Sequence, residues 1–298
     1  MKFFHSTYCT WTLVVILISC SFIVLWNIQL NKMITITPYT VTSSKLPSSF
    51  HNYKIVHLSD LHGRSFGSGF TQLITPIQQL SPNVIVITGD LITAGGNLCE
   101  DYLELLNKLT QIAPTYYVYG NHEVYMAASK YFSYFMSGLG ESPAQSLNQT
   151  HVTLTSSKGE SITLVGLQDP VDVNTPINTP TNLETQYLNT SLEEITPYLT
   201  SQTFNLLLSH RPEYFSQYSQ LPIDLILTGH AHGGIMQLPF VGGLYAPNQG
   251  FFPSYTSGQH AINNTTMIIN RGLGNSSFPI RIFNSPEIGI ITLKKQLD

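Results

Sequence analysis

Five short groups of residues in this chain carry the donor atoms of a transition-metal site. They are Asp60-Leu61-His62, Gly89-Asp90, Gly120-Asn121-His122-Glu123, Ser209-His210 and Gly229-His230-Ala231-His232. Imidazole nitrogen binds borderline cations such as zinc, iron, manganese or nickel, and carboxylate and amide oxygens suit the harder end of that range. Asp60 and His62 stand two apart, as do His230 and His232, and a tight loop at a strand end turns such a pair toward one ion. Asp90 is a lone carboxylate beside Gly89, which lets backbone approach closely, so it suits a bridge between two cations. Two ions imply two-metal chemistry.

A sheet is needed to bring these groups together. Residues 55–58, 84–87, 116–119, 206–208 and 225–227 are apolar or β-branched runs, one directly before each group. Such runs read as buried strands, and an open α/β sheet gathers its ligands beyond the carboxyl ends of its strands. Between them, residues 101–112 place Leu105, Leu109 and Ile112 at helical spacing with Pro114 as the stop. Residues 73–80 form a weaker helical pattern closed by Pro82, and 191–199 a third, interrupted by Pro197. Residues 152–154 and 162–167, separated by 156–159, read as a hairpin. Alternating βα units with hairpins interposed predict an α/β fold, a four-layer α/β/β/α sandwich of two mixed sheets. Residues 237–286, rich in Gly, Pro, Asn and aromatics, are expected as loops around the mouth of the site. There Phe251, Phe252, Pro253 and Tyr255 either face an apolar part of a substrate or pack within the loops.

The ordered motifs D-x-H, G-D, G-N-H-E, a lone histidine and G-H-x-H resemble the calcineurin-like metallophosphoesterases over residues 54–294. A closer resemblance is to a bacterial YkuE-type branch, carried by Ser209-His210-Arg211-Pro212-Glu213, Gly229-His230-Ala231-His232-Gly233-Gly234, Leu244-Tyr245-Ala246-Pro247-Asn248-Gln249-Gly250 and Arg271-Gly272-Leu273-Gly274-Asn275-Ser276. That branch often carries Gln where this chain has Ile235. The resemblance implies the metallophosphoesterase sandwich and two divalent ions, Mn, Zn or Fe. Asp60, His62, Asp90 and His232 would hold one ion, and Asp90, Asn121, His210 and His230 the other. It also implies a hydroxide shared by the ions attacking phosphorus, with His122 protonating the leaving group or stabilising the developing charge. Glu123 is expected to orient its loop or a ligating imidazole from behind. For Arg271, a phosphate contact and a structural ion pair are both open.

Each motif has a plainer reading. A single D-x-H or H-x-H arises by chance, and it is the ordered conjunction after five strand-like runs that argues for a site. His5, His51, His57, His151 and His260 have no such partners, and His57, inside the first strand, reads as a hydrogen-bonded structural residue. Tyr125, Tyr131, Phe132, Tyr134 and Phe135 fit helix packing better than a substrate wall, because their spacing is near helical. A zinc peptidase would need an H-E-x-x-H helix, which is missing.

Composition bounds the partners. The 298 residues carry a net charge of −4 and only 10% charged residues, with no Lys/Arg run. Nucleic-acid binding needs clustered positive charge and is not expected. Residues 3–31 contain no Asp, Glu, Lys or Arg, and 11–30 supply about the 20 residues that span a bilayer, with Trp11 and Trp26 placed for its interfaces. The expected organisation is a transmembrane signal anchor over 1–33, a polar linker over 34–53 and the catalytic domain over 54–298. Leu17-Ile18-Ser19-Cys20 resembles a lipoprotein processing box, but the apolar run continues past Cys20, which favours the anchor. Lys2 and Lys32 flank the span and barely discriminate its orientation; composition and class precedent put the domain outside the cell membrane. Cys9, Cys20 and Cys99 are the three cysteines, so no disulfide forms within the domain, and Cys99 reads as structural or incidental.

The reading is a membrane-anchored, metal-dependent phosphodiesterase on a phosphate ester, with lipid-linked or cell-envelope substrates expected. Its competitors are a phosphomonoesterase or pyrophosphatase on a nucleotide-sugar lipid and a non-catalytic metal-binding scaffold. The intact His122 favours an enzyme. Substrate, metal identity and oligomeric state are left open by the sequence.

Overall fold

The strand runs are apolar at every position because both faces of each sheet are covered. In the computed structural model, which describes residues 2–93, 99–127, 130–174, 181–238, 240–275 and 281–296, Ile55, Val84 and Val86 point one way and Val56, Ile85 and Ile87 the other. The first set meets Leu206, Leu208, Leu225 and Leu227 of a second sheet, and the second set meets helices. The side chains of His5, Cys9, Cys20, Cys99, Tyr131, Phe132 and Phe135, and residue Ser276, lie outside the described set.

Helix α1 (Lys2–Lys32) opens the chain. Strands β1 (Thr35–Ser43), β2 (Lys54–Leu58), β3 (Val84–Thr88), β4 (Thr115–Val118) and β5 (Gln145–Ser146) alternate with α2 (Thr71–Leu80), α3 (Cys99–Thr110), α4 (Asn121–Met126) and α5 (Lys130–Glu141). Strands β6 (Thr150–Thr155) and β7 (Ser161–Gly166) form the expected antiparallel hairpin. Then come α6 (Asn182–Ile195), β8 (Asn205–Leu208), α7 (Phe215–Tyr218) and β9 (Leu225–Thr228). The short hairpins β10 (Gln237–Leu238) with β11 (Gly242–Gly243), and β12 (Tyr245–Ala246) with β13 (Gly250–Phe251), precede β14 (Gly258–Ile262), β15 (Thr265–Ile269) and β16 (Glu287–Lys295). One sheet has the order β1-β16-β2-β3-β4-β5 and the other β14-β15-β9-β8-β7-β6. Both mix parallel and antiparallel pairs. Leu73, Ile77, Leu105 and Leu109 cover the outer face of the first sheet; Leu188, Leu192, Ile195 and Phe215 cover the second. The result is the four-layer α/β/β/α sandwich.

Three expectations change. The segment 34–53, expected as a linker, is built into the first sheet: β1 runs parallel to β16 from Thr35 opposite Glu287 to Ser43 opposite Lys295, and Leu46 and Phe50 are buried. Its polar composition is that of an edge strand with one face in water. Residues 237–286 are not all loop, since β14 and β15 complete the second sheet. Helix α6 begins at Asn182, well before the expected 191, where Thr181 Oγ1 caps it by accepting from the Glu184 amide at 3.1 Å; Thr181-Asn182-Leu183-Glu184 is the spacing of a capping box.

Candidate metal centre

Each of the five groups leaves the carboxyl end of a central strand, β2, β3 and β4 from one sheet and β8 and β9 from the other, so they meet beyond the carboxyl ends of the two facing sheets. The turns are sharp. Asp60, His62, Asp90, His230 and His232 all have left-handed backbones, with φ of 51°, 46°, 53°, 63° and 48°. A non-glycine residue there costs roughly 1–2 kcal/mol, and such conformations concentrate at functional sites. Bonds between the loops hold them: Asp60 N donates to Gly89 O (3.0 Å), His62 N to Asp90 O (3.1 Å) and Gly229 N to His210 O (3.0 Å). The glycines permit close approach. A Cβ at Gly120 would overlap the Asp90 carboxylate, and one at Gly229 would overlap Ser59 Oγ and Asp60 Oδ2.

The side chains converge. Asp60 Oδ1 lies 3.2 Å from His232 Nε2, Asp90 Oδ2 lies 3.3 Å from His62 Nε2 and 3.2 Å from His210 Nε2, and the Nε2 atoms of His62 and His232 are 3.1 Å apart. His210 Nε2 faces Asn121 Oδ1 at 3.2 Å and His230 Nδ1 at 3.1 Å. These form two overlapping groups, Asp60, His62, Asp90, His232 and Asp90, His210, His230, each with donor atoms within 4.8 Å of one another. Asp90 belongs to both. Imidazole nitrogens aimed at one another and at carboxylates, in buried surroundings, fit a pair of borderline divalent cations.

Behind these atoms stands a set of fixed hydrogen bonds. His210 Nδ1 lies 2.6 Å from Thr88 O. A carbonyl only accepts, so Nδ1 carries the proton and Nε2 faces the centre. Glu123 is buried and accepts three main-chain donors: Asp90 N and Gly120 N at 2.8 Å on Oε2, and Ile92 N at 3.0 Å on Oε1. It therefore ties the Asp90 loop to the Asn121 loop rather than orienting an imidazole. Asn284 Nδ2 donates to His232 O (2.6 Å), and Arg281 Nη2 lies 3.3 Å from His232 Nδ1.

Burial and neighbouring charge act against each other on the donors of the centre. Burial pushes the Asp90 carboxyl up, but the imidazoles of His210, His122 and His62 outweigh it and hold it well below the usual carboxylate range. Burial likewise opposes protonation of His210, yet Asp90 carries it up to about 10, and Asp90 and Asp60 raise His62 against the same opposition. Burial drives His230 and His232 well below the ordinary imidazole value, aided by Arg211 and His210 for the first and by His62 and Arg281 for the second. His122 is lowered by burial, with Asp90 opposing and His62 and His210 assisting. Its ring packs edge-on against His62 with centroids 4.6 Å apart, and it is only partly buried at the rim.

Other singled-out residues fall away from the centre. Arg271 resolves to a structural ion pair, its Nε 3.0 Å from Glu287 Oε2. His57 is buried with Nε2 2.8 Å from Thr88 Oγ1, His151 stacks on Tyr198, and His260 Nε2 donates to Ser257 O. Tyr134 is 51% exposed and Tyr125 half-buried, so the described part of the aromatic cluster is not core. A buried network behind His210 escaped the sequence reading. Arg211 is gripped by Asp169 at 2.6 and 2.9 Å, with Glu184 and Glu213 both 3.6 Å away. Burial pushes Glu213 up to about 7 against the pull of Arg211. Asp169 comes after β7 just as the candidate donor residues come after their strands, and that position was its one sequence signal.

Comparison with known proteins settles the family. A model of the calcineurin-like phosphoesterases matches residues 53–234. The chain belongs to that family. It is 30% identical over 266 residues to the uncharacterized metallophosphoesterase YkuE of Bacillus subtilis, covering 88% of this chain and 86% of the relative. It is 25% identical over 246 residues to the phosphodiesterase YaeI of Escherichia coli, covering 81% and 82%. It is also 27% identical over 262 residues to a Danio rerio transmembrane protein with metallophosphoesterase domain, covering 84% of this chain and 55% of that protein. As a calcineurin-like phosphoesterase the chain is a metal-dependent phosphoester hydrolase with a candidate metal-binding site beyond the carboxyl ends of the two facing sheets.

Proposed function

We propose that this phosphoesterase is a dinuclear phosphodiesterase held in a membrane by α1, acting on a lipid-linked or envelope phosphodiester. The observation that carries the dinuclear reading is the pair of donor groups sharing Asp90. Asp60, His62, Asp90 and His232 would hold one ion, and Asp90, Asn121, His210 and His230 the other. Bound divalent ions supply positive charge for phosphoryl oxygens and acidify water into a nucleophile at neutral pH. The protein does the rest. Thr88 O fixes the His210 tautomer and Glu123 fixes the loops of Asp90 and Asn121, so the donors are arranged before substrate arrives. His122, whose imidazole burial keeps neutral, stands at the rim beside His62 and donates a hydrogen bond to the ester oxygens, stabilising charge as the leaving group departs.

The diester preference is supported by similarity to YaeI, which bears the name phosphodiesterase. The anchor is supported by Trp11–Lys32, 22 residues whose most apolar stretch reaches a mean hydropathy of 2.3, about 33 Å of helix; the Danio rerio relative is named a transmembrane protein. The domain is read as extracytoplasmic.

The test is hydrolysis of bis(4-nitrophenyl) phosphate against 4-nitrophenyl phosphate by the full chain in detergent, with Mn²⁺, Zn²⁺, Fe²⁺ or chelator. We expect metal-dependent turnover favouring the diester. Asp90→Ala should lose activity together with bound metal. His122→Ala should keep the metal and lose activity by roughly 10²–10⁴. Monoester preference would overturn the diesterase reading, and fewer than two ions per active chain would overturn the dinuclear one.

A further inference from the structure

Helix α1 does not hang from a flexible tether. Over residues 11–26 its large side chains stand clear of the protein, with Trp11, Leu17 and Leu25 each more than 60% exposed. Contact begins at Asn27, which is 8% exposed: Asn27 Nδ2 and Asn31 Nδ2 both donate to Arg281 O, at 2.6 and 2.7 Å. Phe283 N donates back to Asn27 Oδ1 at 3.0 Å, and the Arg64 guanidinium donates to Asn31 O. The last turns of the helix are thus clamped to residues 281–283, and β1 enters the sheet almost directly after the helix ends.

The other side of that same segment carries the short hairpins. Met236 bridges Ile282, and Gln237 N donates to Ile282 O at 2.9 Å. From there β10 to β13 present Phe240, Val241, Tyr245, Phe251 and Phe252, exposed by 110, 59, 37, 71 and 64%. Between Leu225 and Asn270 the sequence has no Asp, Glu, Lys or Arg. A cleft of about 610 Å³ lies on the helix side, apolar along Ile23, Val24, Ile28 and Ile282 and cationic at Lys32 and Arg64. Among the described residues no carboxylate lies within ion-pairing distance of those two cations.

Such an uncharged aromatic surface, larger than single scattered apolar residues, marks a contact site. Its continuity with a spanning helix and its flanking cations fit one partner, an anionic lipid bilayer. We propose that the β10–β13 hairpins rest in the headgroup region beside α1, with Phe240, Phe251 and Phe252 in the acyl boundary and Lys32 and Arg64 on lipid phosphates. This rests on the reading of α1 as a membrane span. The first hairpin strand starts at Gln237, a short step along the chain from His232, so docking would hold the metal centre beside the lipid headgroups.

The test uses the full chain in nanodiscs of phosphatidylcholine and phosphatidylglycerol, with or without acyl-brominated phosphatidylcholine as quencher. In a Trp11→Phe, Trp26→Phe background, separate proteins carry Phe251→Trp, Phe240→Trp or, as a control on the outer helix α6, Tyr187→Trp. A fourth protein keeps Trp26 alone to report the span. We expect bromolipid to quench positions 251, 240 and 26 by about half or more while 187 is unchanged, as for rings seated at the lipid interface. Quenching at 26 with none at 251 and 240 overturns the docking and leaves the span standing; no quenching at 26 overturns both. The readout involves neither metal nor turnover, so it is independent of the hydrolytic reading.

Discussion

Replacing Glu123 by Gln tests whether the metal loops are fixed from behind. The carboxylate receives three buried N–H donors, two on Oε2 and one on Oε1. A glutamine can place its single carbonyl oxygen on the Asp90 and Gly120 amides, but its NH₂ then meets the Ile92 N–H, donor against donor. Losing charge assistance on two bonds costs about 1 kcal/mol each, and stranding the third donor about 1–3 kcal/mol. Against this, burial and Asp90 push Glu123 up to about 7, so relief of that penalty returns part of the loss. The net expectation is a destabilisation of roughly 1–2 kcal/mol in chelated protein. Because Asp90 stands in both donor groups, metal affinity should also fall by about 10–100-fold. Denaturant titration with chelator measures the first, and calorimetric titration with Mn²⁺ or Zn²⁺ the second. A variant within about 0.5 kcal/mol of the parent and equal to it in metal affinity would refute this account of Glu123.

Three further outcomes are expected from the same geometry. Gly229→Ala forces a Cβ into Ser59 and Asp60, so it should cost about 1–3 kcal/mol and abolish metal binding; a folded variant with normal metal content in elemental analysis contradicts this. In chelated protein His210, raised from 6.5 to about 10, contributes stability that is complete below pH 6.5 and is lost as pH rises through about 10. Denaturation midpoints should fall across that window, and metal uptake should release protons, read from calorimetry in buffers of different ionisation enthalpy; midpoints flat over that range would count against the His210–Asp90 pairing. A chain begun at Lys54 loses β1 together with the buried Leu46 and Phe50, about 1.5–3 kcal/mol for each of those two side chains, and bares the edge of β16. It should be markedly less stable and more prone to aggregate than a chain begun at Ile34, and equal melting temperatures would contradict this.

Strand positions, and the donors standing just beyond them, were legible in the residues alone. Apolar runs at 55–58, 84–87 and 225–227 fold as buried strands because few other arrangements cover both faces, and donors placed at their ends arrive at the carboxyl end of a sheet whatever the intervening loops do. Local composition misled where a distant contact gives a residue its meaning. Residues 34–53 look like a linker because an edge strand is half in water, and Arg271 looks available for phosphate because its partner Glu287 lies on β16. Long-range packing alone established that Glu123 grips the backbone of two loops, that Asp169 holds Arg211 behind His210, and that α1 is clamped by Asn27 and Asn31 to residues 281–283. Those contacts join positions far apart in the chain through geometry that no short-range pattern encodes, because a hydrogen bond depends on where two backbones pass rather than on the residues beside either of them.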